Sequence, residues 1–137
     1  MSLEEDRNTR DYLFGRLLAI ADYIEERALY VAGENRDTNA AKLLNRFADR
    51  PSSTWRTIEL ALSPYKRRMR SKWPGLLIAM EKQLDKVAGM FQTNEFTDDS
   101  KLSGEFLLAY HCQRAVLWSK ANKEDAAEDK VIYEGEE

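Results

Sequence analysis

The chain has 137 residues, 43% of them hydrophobic, with 21 Lys and Arg against 24 Asp and Glu, one Cys and one His. That length suits one domain with one core, and no apolar run reaches the ~18 residues a membrane span needs. One Cys excludes an intramolecular disulfide, no His/Cys cluster has metal-ligand spacing, and the polar opening MSLEEDRNTR has no apolar signal core. The expectation is a soluble, cytoplasmic domain with no metal and no cofactor.

The dominant period is helical. In DYLFGRLLAIADYIEERALYV, the residues Leu13, Leu17, Ile20, Ile24, Ala28 and Val31 recur at i, i+3/i+4, a stripe along one side. Thr9 or Asp11 can cap its start, and Gly33 suits its end. Gly15 costs a helix roughly 1 kcal/mol relative to Ala, which points to close approach of a neighbouring helix. A second helix is expected over about 39–49, with Ala40, Leu43, Leu44 and Phe47 inward and Pro51 ending it. Ser52 or Ser53 then offers an N-cap. Trp55, Ile58, Leu62, Tyr65 and Met69 keep their spacing straight through Pro64, which favours one helix kinked there over two short ones.

Pro74 suits the first turn of the next helix, whose stripe is Leu77, Met80, Leu84, Val87 and Phe91. QTNEFTDDS reads as a loop, with Asp98, Asp99 or Ser100 available to cap a last helix over about 101–120. That helix turns Phe106, Tyr110, Gln113 and Leu117 inward, widened by Leu107 and Trp118. No strand signal or internal repeat is present. The expected fold is all-α, an antiparallel bundle of about five helices over 1–120. The acidic stretch 121–137 lacks periodicity and is expected to be a disordered tail.

FLLAYHCQR holds the only His and the only Cys as neighbours. Adjacent helical side chains diverge by about 100°, whereas nucleophile and base must come within ~3 Å. The expected roles are therefore a buried small apolar group for Cys112 and a hydrogen-bonded packing residue for His111. No carboxylate pair or Gly-rich phosphate loop stands out, and enzymatic function is not expected.

Charge is unevenly distributed. Residues 36–72 carry ten Lys and Arg against three acids, a local +7, while the remainder sums to −10. Such asymmetry points to a surface that faces a polyanion. The candidate phosphate-contacting residues are Lys42, Arg46, Arg50, Arg56, Lys66, Arg67, Arg68, Arg70 and Lys72. Lys42, Arg46 and Arg50 form a ladder at 3–4 spacing, continuous with the YKRRMRSKW run if the two helices are antiparallel neighbours. Tyr65 and Trp73 are read as core rather than as base-stacking platforms. No base-reading motif is visible, so contact is expected to be to nucleic-acid backbone and indifferent to sequence.

Three segments resemble one known family. DYLFGRLLAIADYIEERA is similar to the Y-L-x-G-R-L-x-A helix near the C-terminus of the large subunit of subtype I-C CRISPR Cascade complexes. STWRTIELALSPYKRRM is similar to the helix that follows, and FLLAYHCQR to the closing F-x-L-G-Y-x-x-Q-R motif. Order and spacing are kept over roughly residues 11–118. Ala109 stands where the family has Gly, and His111-Cys112 where it has an aromatic–His pair.

The resemblance implies a helical, non-catalytic piece made separately by internal translation initiation as the complex's small subunit in antiviral defence. Its implied place is the inner belly of the complex, in more than one copy, where it stabilises the R-loop by non-specific contacts to the target or displaced DNA strand. The implied partners are the large subunit, the backbone subunits, a sister small subunit and crRNA-guided target DNA, with no membrane and no small-molecule substrate. A recruited nuclease-helicase would destroy the DNA. Arg16, Gln113 and Arg114 fall in the matched motifs and are assigned either to nucleic acid or to ties between helices. Two other readings stay open: a structural protein–protein spacer, and a free-standing helical DNA-binding regulator.

Overall fold

A computed structural model describes residues 2–34 and 36–136, with side chains as far as Lys120. All elements among the described residues are helical: α1 (Arg10–Ala32), α2 (Asn39–Lys42), α3 (Leu44–Asp49), α4 (Pro51–Lys72), α5 (Pro74–Ala88) and α6 (Glu105–Glu136). None is long and apolar enough to cross a membrane. The expected acidic tail over 121–137 falls outside the residues whose side chains are described.

The sequence stripe on α1 proves too narrow. Tyr12 through Glu25 are all buried, as are Arg27, Ala28 and Leu29, because α6, α4, α5 and α2 pack around the helix. Leu18, Ala19 and Ala21, off the expected stripe, are fully buried, while Val31 at the end emerges to solvent. A helix apolar on every side is one that a fold surrounds. Each large apolar side chain so buried contributes about 1.5–3 kcal/mol, so α1 is the axis of the core. Gly33 ends it in the left-handed region (φ 69°), with the Gly33 and Glu34 N–H groups closing on the Tyr30 and Leu29 carbonyls.

Residues 39–49 form two short helices rather than one. Leu43, at φ −97° and ψ 10°, lies outside the helical well and interrupts the ladder. The Thr38 hydroxyl caps α2 by accepting from the Ala41 N–H at 2.9 Å. Glu25 of α1 accepts from the Asn39 and Ala40 N–H groups at 2.7 and 3.2 Å. Pro51 both stops α3 and opens α4 at its first position, so α4 begins earlier than the serine caps suggest.

The α4 helix runs unbroken through Pro64 and buries Trp55, Ile58, Leu62, Tyr65 and Met69 as expected. Pro64 is solvent-facing, where water can satisfy the carbonyl one turn earlier. The α5 helix ends before Phe91, yet the Phe91 ring still packs on Phe14 with centroids 4.8 Å apart.

The last helix starts at Glu105 rather than near 101, because the presumed caps serve other groups. Asp99 accepts from the Ser53 N–H and hydroxyl at 3.1 and 2.7 Å, closing the first turn of α4. Asp98 accepts from the Ser100 N–H. Thr9 holds the N-cap position of α1, but its hydroxyl binds Glu105 instead of the backbone. Phe106, Tyr110, Gln113 and Leu117 are buried as expected, whereas Leu107 is turned outward.

Gly15 lets α1 and α6 touch backbone to backbone. A Cβ there would lie 2.8 Å from the Ala109 Cβ and collide with the Phe106 carbonyl oxygen. Gly15→Ala should therefore destabilise the fold by about 1–3 kcal/mol, outweighing the ~1 kcal/mol gain in helix propensity. Calorimetry should show a melting temperature several degrees lower; an unchanged or raised value would refute the close crossing.

Candidate functional site

The chain from 36 to 49 lies antiparallel to α4. At one end the Tyr65 hydroxyl accepts from Arg36 at 2.9 Å and from Asn39 at 3.5 Å. At the other end the Thr54 hydroxyl donates to the Arg46 carbonyl at 3.3 Å. The two basic segments are therefore neighbours, although Lys42, Arg46 and Arg50 occupy α2, α3 and the junction before α4 rather than one helical ladder.

The nine cations singled out in the sequence divide three ways. Lys66 leans toward α5 and pairs with Glu81 at 3.7 Å. Arg68 leans the other way and pairs with Glu34 at 3.4 Å, a carboxylate held below the usual range mainly by its hydrogen bond from Arg36. Lys72 lines a cleft beside Trp73. The other six, Lys42, Arg46, Arg50, Arg56, Arg67 and Arg70, are exposed, and none forms an ion pair among the described residues.

At 100° per residue, Arg56, Arg67 and Arg70 fall within about 60° of one another on α4, while Lys72 points about 160° from Arg56. Arg56, Arg67 and Arg70 thus make an outward stripe whose opposite side is the buried Trp55–Met69 face. Glu59 borders the stripe about 60° from Arg56, but none of the three arginines forms an ion pair among the described residues, so the stripe keeps a net positive charge available to a polyanion.

Arg16, Gln113 and Arg114 sit elsewhere. The Arg16 Nε donates to Gln113 Oε1 at 2.8 Å across the α1–α6 interface, with both residues 2% exposed. Arg114 forms ion pairs with Asp22 at 2.7 Å and Glu26 at 2.6 Å. Asp22, 1% exposed, also accepts from the Tyr110 hydroxyl at 3.2 Å and from the Thr38 hydroxyl. One carboxylate therefore joins α1, α6 and the start of α2, a role no local sequence signal marks.

Burial, with the adjacent Asp22 carboxylate, pushes Glu26 up from 4.5 to about 7, and burial likewise raises Glu25. For an acid whose folded pKa is raised, the unfolded chain releases its proton first. The stability it contributes is complete below 4.5 and is lost as pH rises through about 7. The melting temperature should fall across that window, and Glu26→Gln should flatten the fall. A wild-type melting temperature that climbs through the same window, with the variant tracking it, would refute this assignment.

Cys112 is buried and His111 is exposed, its ring against Tyr110 with centroids 5.2 Å apart. The expected packing role for His111 fails because its helical position faces solvent, one residue off the α6 inner face. Among known families, that of the CRISPR-associated protein (Cas_Csd1) matches residues 1–118. No curated protein matches the chain.

Proposed function

The chain belongs to the Cas_Csd1 family of CRISPR-associated proteins, and from that premise we propose that it is the small, non-enzymatic subunit of a subtype I-C Cascade complex. In this reading it sits beside the crRNA-bearing backbone filament, next to the large subunit and a sister copy. It steadies the R-loop by gripping the phosphates of the target or displaced strand, without reading bases. It acts in the cytoplasm and leaves DNA destruction to another component.

The observation that carries the reading is the unpaired cationic surface of α2–α4. Seven exposed Lys and Arg, six of them outside the cleft that Lys72 lines, stand there without an ion pair among the described residues, whereas Lys66, Arg68 and Arg114 are paired to acids. Cations left unneutralised on one surface suit phosphate tracking, in which each contact releases a counterion and adds affinity regardless of sequence.

Reconstitution tests the proposal. The complex assembled with the chain should hold target DNA more tightly than the complex assembled without it, equally for unrelated protospacers. Failure to co-purify with the crRNA-containing assembly would contradict it.

A further inference from the structure

A second feature lies away from the basic stripe. A cleft of about 520 Å³ opens between α1, α6 and the α4–α5 junction, walled by Leu76, Ala79, Met80, Val116 and Leu117. Arg16 forms part of its floor and is 2% exposed. Its guanidinium donates to Gln113 Oε1 at 2.8 Å, to the Glu5 carbonyl at 3.3 Å and to the Met90 sulfur at 3.9 Å. All three acceptors are neutral. No carboxylate lies within ion-pair distance among the described residues, and Nη2 has no acceptor there.

Arginine cannot shed its proton to relieve burial, so the chain holds a buried cation that touches no carboxylate among the described residues and feels one acid of the cleft, Glu5, only at a distance. Lys72 and Lys120 add positive charge to the same cleft, against Glu5 alone. The rings at its edge are already occupied: Tyr23 packs edge-on to Trp118 at 4.9 Å, and Trp73 lies under Arg27 at 4.2 Å and against Tyr30. A nucleobase would find no open ring face to stack on. The apolar walls instead match apolar side chains flanking a single acid.

We infer that this cleft docks a protein segment that places one carboxylate, flanked by apolar side chains, on Arg16. The planar guanidinium fork suits a carboxylate, and the apolar walls supply burial on either side of it. The inference does not rest on the nucleic-acid reading, since the cleft and the Arg56–Arg70 stripe lie on opposite sides of α4.

The test uses the full chain and a fluorescein-labelled peptide with one glutamate between leucines, its glutamine counterpart, and a short oligothymidylate as competitor. The glutamate peptide should bind about tenfold or more tighter than the glutamine peptide, a difference of about 1.4 kcal/mol. Arg16→Met should abolish that preference. Ala79→Trp, at an exposed position on the cleft wall, should block the peptide while leaving the core intact, and so keeps the test valid if Arg16→Met does not fold. Equal binding of the two peptides, binding indifferent to Ala79→Trp, or stronger competition by the oligothymidylate than by unlabelled glutamate peptide would each overturn the inference.

Discussion

Changing Arg56, Arg67 and Arg70 together to glutamate should weaken target-DNA binding by the assembled complex roughly a hundredfold at low salt. Each phosphate neutralised by a cation contributes about 0.7–0.9 to the slope of log affinity against log salt, so losing three contacts should flatten that slope by about 2–3. The loss should be the same for every protospacer, because phosphate contacts carry no sequence information. All three positions are exposed on one helix, and Glu and Arg have similar helix propensities, so the variant should fold normally by circular dichroism. Arg68 is deliberately left out: a glutamate there would face Glu34 and confuse lost DNA contact with local repulsion. An unchanged salt slope in a folded, incorporated variant would remove the stripe from the DNA contact.

The second large effect is on stability. Asp22→Ala should cost about 3–5 kcal/mol, the range for removing one partner of a buried ion pair. Arg114 would keep only the partly exposed Glu26, and the Tyr110 and Thr38 hydroxyls would lose their shared acceptor. Asp22→Asn should cost less, because the amide oxygen can still accept from a hydroxyl but cannot balance the guanidinium. The Asp22→Ala change should also lower the titration of Glu26 toward the ordinary carboxylate range, since it removes a neighbouring negative charge. Denaturant melts across pH check both effects together. A cost below about 1 kcal/mol, the scale of a surface pair, would mean that this network does not lock α1 to α6.

What the sequence made legible was whatever depends on near neighbours. The 3–4 spacing on α4 and α6 identified Trp55, Ile58, Leu62, Tyr65, Met69, Phe106, Tyr110, Gln113 and Leu117 as inward, and all are buried. Gly15 in mid-helix announced a close crossing, and Ala109 proved to be its counterpart. Hidden were the features set by distant partners. Asp98 and Asp99 look equally fit to cap the following helix, but only the fold reveals that Asp99 serves Ser53, 46 residues earlier. Lys66 and Arg68 read the same as Arg67, and the acids that neutralise them come from other elements. The wrapping of α1 was partly visible in its off-stripe Leu18, Ala19 and Ala21, which a single-stripe reading passes over.

The most direct test of the account is a crosslinking map of the R-loop-bound complex, using DNA with photoreactive groups on the phosphate backbone. The account predicts adducts on peptides spanning Lys42–Arg50 and Arg56–Arg70 of this chain, at similar yield for unrelated target sequences. Adducts absent from those peptides, with the same residues crosslinked instead to acidic faces of neighbouring proteins, would contradict it and make the basic surface a protein–protein spacer.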